Sequence, residues 1–181
     1  MMTDSGDELI RLFEAEFGQI ETGFVLNKSP IVQMVRYEPS QNGIAYISTL
    51  GLNKLPKTPR FEWYMEFQAT LSSDHAASLL GHYALKYIQN QIESPKRGNY
   101  LVFDGGQGSF WKKSNACGLY FTHPFFRSSS FLNNIGKCGV ILVWIVPIVA
   151  SELRILETEG WSELERYWDM NDINLHTPNR K

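Results

Sequence analysis

Only a few groups of side chains in this chain have types and spacings that could do chemistry. The first is Asp104-Gly105-Gly106-Gln107-Gly108-Ser109, a glycine-rich loop. Such loops cradle phosphate where a strand meets a helix, because free N–H groups at the helix start face the anion. Here Ser109-Phe110-Trp111-Lys112 reads as another strand, and no lysine stands at the spacing of a nucleotide loop. A tight hairpin turn is therefore expected. Glu62 and Glu66 share one face of a strand. Roughly 13 Å separates them, beyond the roughly 5–9.5 Å of paired glycosidase carboxylates, so a solvated sheet face is expected.

His75 and His82 stand on one edge of a helix, separated by roughly 10 Å, and no His-Glu-x-x-His motif accompanies them. They read as surface residues at a helix flank. Cys117 and His123 would form a nucleophile–base pair only if folding joined them; along one extended strand about 20 Å lies between them. Cys138 reads as packed and inert, and Ser128-Ser129-Ser130 lacks a Gly-x-Ser-x-Gly elbow. What is left is aromatic: Phe110, Trp111, Tyr120, Phe125 and Phe126, interleaved with Lys112, Lys113 and Arg127. Aromatic residues and arginine anchor protein interfaces. The same aromatics could equally fill a core, and both readings stand at this stage. No catalytic constellation, cofactor site or metal site is expected. The candidate partner-binding residues are Asp104, Gln107, Trp111, Lys112, Lys113, Phe125, Phe126 and Arg127.

The elements that must position them organise around Gly139-Val140-Ile141-Leu142-Val143-Trp144-Ile145-Val146-Pro147. A strand with one wet face alternates apolar and polar residues; this run does not, so it predicts a central strand covered on both faces and ended by Pro147. Near the start, Ser5 and Glu8 have capping-box spacing, Leu9, Leu12, Phe13 and Phe17 form a helical stripe, and Gly18 ends it. The stretch from Gln19 to Pro30 reads as an irregular loop. Ile31–Tyr37 and Gly43–Gly51 read as a hairpin, and residues 60–68 as an alternating strand. Ser72-Ser73-Asp74 opens the longest helix, ended by Pro95 and Gly98. Short strands follow at Tyr100–Phe103, Ser109–Lys112 and Leu119–His123, then an exposed aromatic loop from Phe125 to Ser130. After the central strand come a short helix from Ser151 and a last one in which Ser162 and Glu165 have capping-box spacing. Strands and helices do not alternate strictly. The expectation is an α+β fold: a mixed, largely antiparallel sheet packed with one long amphipathic helix and shorter N- and C-terminal helices, in a single domain over residues 1–170 with a polar tail over 171–181.

Composition bounds the function. With 181 residues, 43% hydrophobic and 20% charged, the chain can bury a core, and its net charge of −2 gives no footprint for nucleic acid or anionic lipid. The longest apolar run falls short of the roughly 20 residues a membrane span needs. The N-terminus is acidic and unlike a signal peptide, and two cysteines make no disulfide framework. A cytoplasmic protein follows. Oligomeric state is left open.

Tyr46-Ile47-Ser48-Thr49-Leu50-Gly51-Leu52 followed by Phe61-Glu62-Trp63-Tyr64-Met65-Glu66, and then Val140–Ile148 with Glu152-Leu153, Glu159-Gly160-Trp161 and Leu164, stand in an order that resembles the Suppressor of fused-like domain family. The resemblance covers most of residues 44–92 and 139–168. It implies a binding module without catalysis. Bacterial stand-alone members are commonly immunity proteins, so it implies a cognate toxin as partner, neutralised by occlusion. The animal relative implies the alternative, a scaffold that captures an extended peptide by strand addition.

Overall fold

The computed structural model describes residues 5–69, 73–103, 114–177 and 180. Among the described residues seven strands, β1 (Ile20–Lys28), β2 (Ile31–Tyr37), β3 (Ile44–Leu50), β4 (Phe61–Gln68), β5 (Tyr100–Val102), β6 (Ala116–Thr122) and β7 (Ile141–Val149), form one sheet in the order β1-β2-β3-β4-β7-β6-β5. Only β4 and β7 pair in parallel; every other neighbour is antiparallel. Among the described residues the helices are α1 (Ser5–Phe17), α2 (Ser73–Ile88), α3 (Ser129–Lys137), α4 (Ala150–Thr158) and α5 (Trp161–Met170). This is the α+β arrangement, largely antiparallel, that the sequence predicts. None of the described helices is long and apolar enough to cross a membrane.

Alternation along β4 and β7 builds two cores, one on each face. Trp63, Met65 and Phe67 join Val143 and Ile145 beneath the α2 stripe of Ala76, Leu80, Tyr83 and Tyr87. Tyr64, Leu142, Trp144 and Val146 face the other way, under Phe13 and Phe17 of α1, Phe131 of α3, Leu156 of α4 and Leu164 and Trp168 of α5. The apolar run of β7 thus reflects helices on both of its faces. Gly18 ends α1 with φ +104, and its N–H reaches Glu14 O at 3.0 Å.

Several expectations are corrected. Residues 20–28 form edge strand β1, paired with β2 through two register shifts; its half-exposed, Gly- and Asn-bearing sequence hides the strand because only one edge is bonded. Pro147 lies inside β7 rather than ending it. Parallel pairing with β4 stops at Trp144, so no neighbour on that side requires the missing N–H. The long helix ends at Ile88, before Pro95. The aromatic loop is a short turn leading into α3, whose N-cap Ser128 accepts from Phe131 N. The expected polar tail is packed: Leu175 is buried, and Gln68 N donates to His176 O at 3.0 Å. The strand expected at Ser109–Lys112 lies outside the described residues.

The sharpest correction concerns Glu62 and Glu66, which are 0% and 1% exposed. Their sheet face is covered by helices and the C-terminal segment, so each carboxylate is held internally.

Candidate functional site

Four inward-facing carboxylates shape this protein, and one of them floors a cleft. Glu62 receives Thr49 Oγ1 at 2.7 Å, Gly51 N at 2.8 Å and Asn53 N at 3.2 Å. Gly51 takes φ +102, and a Cβ there would stand 2.3 Å from Ile31 O, so only glycine fits. Burial pushes the Glu62 carboxyl up to about 7, against the pull of these donors. That is a useful value for an acid catalyst, yet Glu62 has no exposed surface through which to meet a substrate. Glu152 on α4 accepts from Val149 N at 2.9 Å, Trp168 Nε1 at 2.8 Å and Arg180 Nε at 2.6 Å, which staples α5 and the chain end to the sheet.

Glu165 and Arg97 belong to the cleft. Tyr120 and Thr122, two residues apart on one face of β6, donate to Glu165 at 2.7 and 2.6 Å, and the Arg97 guanidinium lies against both carboxylate oxygens. The position that reads as a capping-box glutamate is therefore an inward anchor; α5 starts at Gly160 with no side-chain cap. Burial, then the bond to Glu165, holds the Tyr120 phenol well above its ordinary value, so it remains a donor. With its lone pairs taken, Glu165 is poorly placed to abstract a proton. It fixes α5 against the sheet.

Above this floor the cleft, about 570 Å³, opens between α5, Arg97, the turn after β6 and residues 172–175. Gly98, at φ +92, lets Trp161 lie on the backbone: a Cβ would meet the indole at 2.7 Å. Arg97 then stacks 4.4 Å from the Trp161 ring centre and 5.3 Å from that of Phe125. Phe125, Phe126 and Trp161 are 46%, 59% and 41% exposed, a cluster of open aromatic surface. Phe126 rests on buried Trp144 at 5.4 Å and approaches His176 at 6.0 Å.

Of the candidate residues, Phe125 and Phe126 line the cleft with open surface. Arg127 does not: it turns inward, pairing with Glu66 at 2.6 Å and Glu16 at 3.2 Å, and anchors the turn that presents the two phenylalanines. Beneath that turn, buried Tyr64 Oη and Trp144 Nε1 have no hydrogen-bond partner among the described residues, and Glu66 Oε1 faces His176 Nε2 at 3.7 Å. Tyr120 is core. Asp104, Gln107, Trp111, Lys112 and Lys113 lie outside the described residues. Arg97, Trp161 and Glu165 do not read as site residues in sequence, because the loop before β5 and helix α5, distant along the chain, bring them together. The thiols of Cys117 and Cys138 are raised by burial, the reverse of activation. Among the described residues no group of His, Cys, Asp and Glu could hold a metal ion.

The family model for Suppressor of fused protein (SUFU) matches residues 28–181. The chain belongs to the Suppressor of fused family. Among solved structures, a Neisseria gonorrhoeae FA 1090 protein described as a SUFU homolog is similar at TM-score 0.74 and 16% identity, over 98% of this chain and 93% of that one. A chain in the Sufu-Fu complex is similar at TM-score 0.58 and 13% identity, over 90% of this chain and 81% of the other. At such identities the likeness is one of fold. Comparison with curated proteins by sequence finds no match. The SUFU motifs now have physical roles: Thr49, Gly51 and Glu62 form one buried clasp, and Pro147 and Glu152 form another with Arg180.

Proposed function

We propose that this SUFU-family protein is a non-enzymatic binding module that neutralises a cognate bacterial toxin in the cytoplasm by docking on it and occluding it. The observation that carries the reading is the cleft with three open aromatic rings, held on a floor cross-linked by Glu165–Arg97 and Glu66–Arg127. Exposed aromatics on a stiff support are the usual anchors of tight protein interfaces, because little freedom remains to be lost on binding. Family membership supports protein binding, and the related fold in the Sufu-Fu complex is solved together with a partner. Asp104, Gln107, Trp111, Lys112 and Lys113 complete the proposed contact set.

The test looks in the neighbouring reading frame for a secreted protein with a toxic C-terminal domain and co-expresses any such domain with this chain, followed by growth and pull-down assays. Survival together with a stable complex is expected. Survival without association would overturn occlusion. A second reading, peptide capture by strand addition, is favoured by the outer edge of β1, which pairs with no strand among the described residues and where Phe24 and Val25 are 46% and 56% exposed. Binding to linear peptides lost on disrupting β1, with the cleft intact, would select it.

A further inference from the structure

The wall of the cleft contributed by α5 carries a surplus of negative charge, its one lining cation, Arg166, being paired with Glu163. From Ser151 to Asp172 the chain has seven carboxylates and two arginines, within a protein of net charge −2. Glu152 and Glu165 are spent internally on Arg180 and Arg97, and Glu163 pairs with Arg166. Asp169 and Asp172 remain, exposed at the cleft, and among the described residues neither is in an ion pair. Glu157 and Glu159 add exposed negative charge nearby on the α4–α5 hairpin. The aromatic wall has its own preference. Arg97 already rests against Trp161 and Phe125, so these rings stabilise a guanidinium in this setting, while the Phe126 ring is largely open.

We infer that the cleft receives a basic side chain, arginine in preference to lysine, from a protein partner with a basic docking surface: its cation lies against Phe126 and is bonded by Asp169 and Asp172. A planar, weakly hydrated guanidinium satisfies ring and carboxylates together, whereas an ammonium gives up more hydration to do so. The same carboxylates repel a nucleic acid backbone. This inference rests on the cleft being the docking face proposed above.

The experiment titrates the ¹⁵N-labelled full chain with Ac-Leu-Arg-Leu-Arg-NH₂ and, separately, Ac-Leu-Glu-Leu-Glu-NH₂, following the Trp161 indole and Phe126 amide signals. The basic peptide is expected to shift both saturably. Asp169→Asn with Asp172→Asn should weaken that binding by roughly five- to tenfold, the worth of two exposed charge contacts. Added salt should weaken it in the parent chain more than in the double variant. No binding of the basic peptide, equal binding of the acidic one, or an unchanged affinity in the double variant overturns the inference. The two proposals fail separately. A toxin neutralised by association that ignores Asp169 and Asp172 sinks this one alone; basic-peptide binding at the cleft without toxin association sinks occlusion alone.

Discussion

Replacing Arg127 by Met would leave Glu66 fully buried, with His176 Nε2 at 3.7 Å as its nearest basic neighbour. An uncompensated buried charge costs about 3–5 kcal/mol, so the urea midpoint of Arg127→Met should fall sharply. The pair Glu66→Gln with Arg127→Met removes both charges and should recover a large part of the loss. Glu62 gives a prediction of a different kind. Its carboxyl is raised from 4.5 to about 7, so the folded state holds the proton more tightly than the unfolded chain. That stabilising contribution is complete below about pH 4.5 and is lost as pH climbs through about 7, amounting to about 3 kcal/mol over the interval. Glu62→Gln removes it, so parent and variant stability curves should differ in slope between pH 4.5 and 7.5. Parallel curves would rule this out. Neither role was legible in sequence. The alternation of β4 shows which residues share a face, and nothing local to β4 shows that α1, α3 and the C-terminal segment cover that face.

At the scale of elements, the segment after α5 is the informative one. Asn171 onward reads as polar, yet Ile173 and Leu175 pack on the core and Arg180 caps Glu152 while reaching Pro147 O. Truncation after Asp172 removes a buried leucine, worth about 1.5–3 kcal/mol, and takes the cation from a buried carboxylate. It should lower the thermal midpoint well below that of the full chain, and Arg180→Lys in the full chain should lower it less. Strong periodicity made α1, α2, β4 and β7 legible, because each carries its own apolar stripe or run. Strand β1 was not legible: it is an edge element with bulges, held by backbone bonds to β2 more than by buried side chains. Helix α3 was hidden for a related reason, since its nine residues begin in a serine run that reads as loop.

For the whole molecule, the proposed docking role separates stability from binding. Phe125→Ala with Phe126→Ala removes rings that are half exposed, so stability should fall by no more than about 2 kcal/mol while toxin association in the pull-down is lost. Equal capture by the double variant would move the interface elsewhere. Part of the cleft could be read in advance: Phe125 and Phe126 stood out as aromatics in a turn-forming stretch. The sequence by itself determined the class of fold, the doubly covered middle strand and the SUFU motif order, because hydrophobic period and backbone chemistry act within one element. Tertiary structure alone decided which charges face inward and which residues meet across the cleft. Arg97, Phe125, Trp161 and Asp172 are joined by packing between elements far apart in the chain, and burial, which sets what a carboxylate does, belongs to the assembled layers and to no single segment.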